Sequence, residues 1–148
     1  MRIGLIFGTR PEAIKMAPVY LEFISRGYQV SVIATAQHRQ MLDQVLQLFG
    51  IKPDIDLDVM TERQTLSGLT ARLCRSLGEV FERDSYDVVL VQGDTTSTFV
   101  GALAAFYHKI PVGHVEAGLR TSNRYNPFPE EINRRLTTQL SSWHFAPT

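Results

Sequence analysis

Apolar residues follow two rhythms along this chain. Short runs without polar alternation, such as Ile3-Gly4-Leu5-Ile6-Phe7 and Val88-Val89-Leu90-Val91, suit strands covered on both faces. Six segments with this β-branched character are predicted as strands: 2–7, 29–35, 54–59, 87–92, 111–115 and 143–146. Between them the apolar period lengthens to three and four residues. Leu66, Leu69, Leu73, Leu77 and Val80 fall on one stripe of an amphipathic helix, expected to meet either the core or a subunit interface. Pro11 is placed to start a helix, and Pro18 inside the same pattern should kink that helix or open a second segment. This alternation predicts one α/β unit, a parallel sheet of six strands with helices on both faces and right-handed crossovers. His144-Phe145-Ala146-Pro147-Thr148 reads as a strand entering a turn with no helix after it, which suggests a domain taken from a longer protein.

Composition narrows the function classes. The 148 residues, 44% of them hydrophobic, fit a single domain with a real core. Fifteen Lys and Arg balance fifteen Asp and Glu, so no diffuse positive field is available for nucleic acid or acidic membranes, and any anion site must be local. No run of about 18 apolar residues could span a bilayer, and Met1-Arg2 lacks the features of a signal peptide, so a cytoplasmic location is expected. Cys74 stands alone and cannot form an internal disulfide or a cysteine zinc site. It is assigned to packing, as are Trp143, Phe145 and Tyr107 to core or interface.

Ligands of open parallel sheets bind outside the carboxyl ends of the strands, and the residues following these strands are polar. Gly8-Thr9-Arg10-Pro11-Glu12, Ala36-Gln37-His38-Arg39-Gln40, Gly93-Asp94-Thr95-Thr96 and Glu116-Ala117-Gly118-Leu119-Arg120 should share one rim. Gly8-Thr9-Arg10 offers helix-start N–H groups and a guanidinium, which suit a phosphate oxygen. The same residues also fit a tight turn with Arg10 in a surface ion pair. Neither the Gly-x-Gly-x-x-Gly nor the Gly-Lys-Ser/Thr spacing is present. Asp94 could simply cap the helix after Gly93, and Glu130 and Glu131 could simply favour a helix dipole. Glu116, directly after an apolar strand, is expected to be partly buried and to need a partner or a proton.

Taken together, Asp94, Glu116 and Glu130 can converge across the rim, with Arg10, Arg120 and Arg134 to neutralise an anionic ligand. Converging acids of separated pKa suit abstraction and return of a proton. His114-Val115-Glu116 imitates the His-x-Glu of zinc deaminases, but the paired cysteines are missing and no metal is expected. His108 and His144 are read as structural or surface groups.

Five motifs resemble, in order, those of the non-hydrolysing UDP-N-acetylglucosamine 2-epimerases. They are Phe7-Gly8-Thr9-Arg10-Pro11-Glu12-Ala13-Ile14-Lys15-Met16-Ala17-Pro18, Thr35-Ala36-Gln37-His38-Arg39-Gln40-Met41-Leu42, Gln92-Gly93-Asp94-Thr95-Thr96-Ser97-Thr98, His114-Val115-Glu116-Ala117-Gly118-Leu119-Arg120-Thr121 and Pro129-Glu130-Glu131-Ile132-Asn133-Arg134. The resemblance spans essentially the whole chain. It implies one half of a two-domain, GT-B-type architecture: residues 1–148 would be the amino-terminal Rossmann-like domain, and a carboxy-terminal domain outside this chain would hold most uridine diphosphate contacts. The isolated chain should then be inactive.

The reaction implied interconverts UDP-N-acetylglucosamine and UDP-N-acetylmannosamine through elimination of UDP, a 2-acetamidoglucal intermediate and re-addition, without a nicotinamide cofactor. By the same resemblance Asp94, Glu116 and Glu130 match functional carboxylates, with base and acid roles left open among them. Arg10 matches a substrate-facing arginine, and Lys15, Gln37, His38, Gln40 and Arg63 match an allosteric site for a second UDP-N-acetylglucosamine. The family also implies a homodimer, to which the Leu66–Val80 stripe could contribute, and a product used for surface polysaccharide. Rival readings are a hydrolysing epimerase that releases N-acetylmannosamine and UDP, a GT-B glycosyltransferase, and a non-catalytic UDP-sugar-binding domain.

Overall fold

Alternate residues of the first strand enter opposite cores. Ile3, Leu5 and Phe7 pack into one and Ile6 into the other, which is why the run shows no polar alternation. The computed structural model describes residues 1–36 and 39–147. Its strands are β1 (Arg2–Phe7), β2 (Gln29–Ala34), β3 (Ile55–Asp56), β4 (Val88–Gln92), β5 (Val112–Val115) and β6 (Trp143–Phe145). They form one sheet in the order β3-β2-β1-β4-β5-β6, with every neighbouring pair parallel. This is the dinucleotide-fold order, whose direction reverses between β1 and β4 and leaves a crevice at their carboxyl ends.

Five helices cover the two faces: α1 (Arg10–Ser25), α2 (Arg39–Leu48), α3 (Leu66–Arg83), α4 (Thr96–Tyr107) and α5 (Glu130–Leu140). Ala13, Met16 and Ala17 of α1 and Leu42, Val45 and Leu46 of α2 fill one core. Leu69, Leu73, Leu77 and Val80 of α3 join Val100, Ala104 and Ala105 of α4 in the other. The leucine stripe is therefore internal packing rather than a subunit surface, and only Leu66, 44% exposed, remains outside it. Cys74 packs against the same core.

Several expectations need correction. Helix α1 runs through Pro18 without dividing. The carbonyl that Pro18 leaves without its helical donor belongs to Ile14, and both residues are exposed, so solvent can satisfy it. The third strand shrinks to two residues because Asp58 takes a left-handed φ of 42° and the Asp54 carboxylate accepts the Val32 N–H at 2.7 Å. Trp143 and Phe145 are about half exposed on β6, and Tyr107 is 64% exposed, so none of the three is core. For Trp143 and Phe145 the cause is position, since β6 is an edge strand with a single neighbour, whereas Tyr107 is the last residue of α4. No helix among the described residues is long and apolar enough to cross a membrane.

Candidate active site

The crevice is built on a glycine that nothing else could replace. A Cβ at Gly8 would lie 1.8 Å from Thr35 Oγ1 and 3.2 Å from Ser97 Oγ, two buried hydroxyls that are 2.8 Å apart. This close approach joins the ends of β1 and β2 to the first turn of α4. Immediately above it, Glu12 of α1 is 3% exposed. Its Oε2 accepts the Gly8 and Thr9 N–H groups at 2.8 and 2.7 Å, while Oε1 accepts the Thr95 hydroxyl at 2.5 Å. The N–H groups expected to cradle a phosphate are thus occupied by the chain's own carboxylate. Only Arg10 of that motif is left for a ligand: it is exposed and makes no ion pair among the described residues, contrary to the surface-pair alternative.

Asp94 is not a helix cap. Thr95 takes that position, its hydroxyl accepting the Thr98 N–H at 3.1 Å, and Asp94 is released to the rim. Burial pushes the Asp94 carboxyl above its ordinary range; Arg134 pulls it down and Glu130 and Glu116 push it up again, with a net upward shift. Gln92, two residues before Asp94, bonds Glu116, and Arg134, four residues after Glu130, pairs with Asp94, so the three expected acids stand on elements that meet at one rim. Glu116 follows β5 with a left-handed φ of 61°, unusual for a residue with a side chain. Its Oε1 is 2.5 Å from Lys15 Nζ, and its Oε2 accepts Gln92 Nε2–H at 2.5 Å. Glu130 opens α5 and borders a cavity of about 420 Å³ with Pro11, Met41, Leu66 and Pro129.

The arginines divide differently than expected. Arg134 is buried and committed to acids of its own chain, with Nη1 3.4 Å from Asp94 and Nη2 2.5 Å from Glu131, so it is not free to neutralise a ligand. Arg120 is exposed and donates to Thr138 Oγ1 at 3.0 Å and to the Leu119 carbonyl at 2.7 Å. Glu131 is fully buried, and its bonds identify a structural hub rather than a helix-dipole acid. Burial would raise its pKa, but hydrogen bonds from Arg135, Arg134 and the Thr121 N–H outweigh it and lower the value to about 2.

His114 is fully buried, and its Nε2–H donates to the Gly93 carbonyl at 2.6 Å. Burial lowers its pKa, only partly offset by that bond, so the ring is neutral and fixes the loop before Asp94. His108 donates from Nδ1 to the Ala104 carbonyl at 2.8 Å, and His144 from Nε2 to the Thr138 carbonyl at 3.0 Å, both in structural roles. Among the described residues, no three His, Cys, Asp or Glu side chains are grouped to hold a metal.

Of the residues matched to an activator site, Lys15 is the one paired with Glu116. Gln40 is exposed at the start of α2, next to Met41 on the cavity wall. Arg63 is exposed, with φ 52°, three residues before Leu66 on the same wall. Gln37 and His38 lie outside the described residues. Glu12, Gln92 and Asn133, whose Nδ2–H donates to the Asp94 carbonyl at 3.0 Å, were missed as supports of the site. Thr9-x-x-Glu12 has the capping-box spacing, a signal that could have singled out Glu12.

The family model described as UDP-N-acetylglucosamine 2-epimerase matches residues 24–148. The UDP-N-acetylglucosamine 2-epimerase of Bacillus subtilis is 58% identical over 150 residues, covering 100% of this chain and 39% of that protein. A crystal structure of the Neisseria meningitidis UDP-GlcNAc 2-epimerase bound to UDP-GlcNAc superposes with a TM-score of 0.94 at 60% identity, over 100% of this chain and 41% of that one. The Methanocaldococcus jannaschii UDP-GlcNAc 2-epimerase, in complex with UDP-GlcNAc and UDP, gives a TM-score of 0.93 at 37% identity, over 100% and 41%. The chain therefore spans about two fifths of the length of these relatives. By sequence and by fold, it belongs to the UDP-N-acetylglucosamine 2-epimerase family.

Proposed function

We propose that this chain is the amino-terminal, carboxylate-bearing domain of an enzyme that interconverts UDP-N-acetylglucosamine and UDP-N-acetylmannosamine. The observation that carries the reading is the rim itself, where Arg134 of the helix that Glu130 opens pairs with Asp94 at 3.4 Å and Gln92, two residues before Asp94, bonds Glu116 at 2.5 Å. Its support from relatives is their printed ligands, UDP-GlcNAc and UDP, and the two-fifths coverage leaves room for a second domain holding the uridine diphosphate.

The chemistry follows from the residues. One carboxylate removes the C2 proton while the C1–O bond breaks and UDP leaves, giving 2-acetamidoglucal. UDP then adds back at C1 as another carboxylate delivers a proton to the opposite face of C2. Carbon oxidation state is the same at the end as at the start, so no nicotinamide is needed. Asp94, Glu116 and Glu130 supply the acids, and Arg10, exposed and unpaired among the described residues, faces the departing diphosphate. Lys15, Gln37, His38, Gln40 and Arg63 form the site of a second UDP-N-acetylglucosamine. The Met41 and Leu66 wall, next to Gln40 and Arg63, supports that placement. The working enzyme is a cytoplasmic homodimer feeding surface polysaccharide.

The test uses the full-length protein with UDP-N-acetylglucosamine, separating products by anion exchange. UDP-N-acetylmannosamine is expected, with Asp94→Asn and Glu116→Gln each lowering turnover about 10²- to 10⁴-fold. Free N-acetylmannosamine with UDP would assign the hydrolysing reaction instead, and no conversion by folded protein would leave transfer or binding.

A further inference from the structure

We infer that Glu12 is a positioning residue for the epimerisation site, holding the loop that carries Arg10 and the loop that carries Asp94 in one fixed relation. This rests on the proposed reaction and adds to it a residue that touches no substrate. Glu12 is buried and has no cationic partner among the described residues. Its charge is met instead by directed donors: Gly8 and Thr9 N–H on one oxygen and the Thr95 hydroxyl on the other. The Thr98 hydroxyl lies 3.1 Å from the same Oε1, but it is closer to the Gln92 carbonyl, at 2.6 Å, which takes its single proton.

A helix cap alone would need only the Thr9 bond. Glu12 goes further and reaches 83 residues along the chain to Thr95, the cap of α4. Arg10 lies two residues before Glu12, and Asp94 one residue before Thr95. The carboxylate is therefore a direct side-chain link between the start of α1 and the loop before α4, across the β1/β4 crevice. Because it also fills the N–H pair at the start of α1, it keeps that pair from capturing a phosphate of the ligand. The diphosphate is left to Arg10 and to groups outside this chain.

The test uses full-length protein carrying Glu12→Gln, Thr95→Val, Thr95→Ser and the Glu12→Gln/Thr95→Val pair. Gln keeps the shape but cannot accept at both ends: its amide N–H₂ either opposes the Gly8 and Thr9 N–H groups or makes the Thr95 hydroxyl, which already accepts the Thr98 N–H, give up its donation. Loss of position should lower kcat about 10- to 100-fold with KM changed less than about threefold, in protein that is equally folded by circular dichroism. Thr95→Ser should restore most of what Thr95→Val loses, and the double variant should be no worse than the poorer single one. Should Glu12→Gln fail to fold, the Thr95 pair decides. Unchanged kcat in folded variants, a kcat loss that only tracks the folded fraction, or strict additivity would overturn the inference. These results are distinguishable from failure of the reaction itself, in which the unmodified full-length protein would form no epimer.

Discussion

Asp94, assigned to the proposed chemistry, is held against its own preference for water. Its carboxyl is half-buried and pushed upward in pKa, and the cation paired with it, Arg134 at 3.4 Å, is shared with Glu131. A group whose folded pKa is raised favours the native state most below its unfolded pKa, and that contribution is lost as pH rises through the folded value. At neutral pH the ionised Asp94 is therefore a liability to stability. Asp94→Asn should unfold at a higher urea concentration than the unmodified protein at pH 7, although its turnover falls, and the gain should shrink as pH drops towards 4, the ordinary aspartate range. A lower midpoint at pH 7 would mean that the Arg134 pair outweighs burial.

Helix α5 shows the same economy in its buried face, which is polar: Glu131, Asn133, Arg134 and Thr137 point inward. Glu131 holds the loop after β5 through the Thr121 N–H at 3.1 Å while clamping two arginines, so its lowered pKa of about 2 is a statement about stability. The contribution is fully present above the ordinary glutamate value and is lost as pH falls through 2. Glu131→Gln should remove that acid dependence, giving a flatter urea midpoint between about pH 5 and pH 2 than the unmodified protein shows. Much of this architecture was legible beforehand. The short β-branched segments located all six strands within a few residues, and the polar residues after them marked the carboxyl rim of the sheet. What escaped were properties created by distant neighbours. The capping spacing of Thr9 and Glu12 gives no hint of Thr95, 83 residues away. Nor does an Arg-rich α5 reveal that Arg134 faces inward, or an aromatic β6 that its strand sits on an exposed edge. Strand order escaped as well, because local periodicity carries no information about which strands pair.

The chain sets Asp94 after β4 and Glu116 after β5, at the carboxyl ends of neighbouring strands, and it spans about two fifths of the relatives that it matches. Arg10, exposed at the start of α1, is the group that the proposed reaction sets against the diphosphate. The central claim is that these carboxylates exchange the proton at C2, and proton NMR of UDP-N-acetylglucosamine in D₂O observes that position directly. With the full-length protein, UDP-N-acetylmannosamine should appear with deuterium at C2, and the Asp94→Asn variant should slow the exchange about 10²- to 10⁴-fold. Product that retains its original C2 proton, or exchange as fast in the variant as in the unmodified enzyme, would contradict the assignment of these acids to the chemistry.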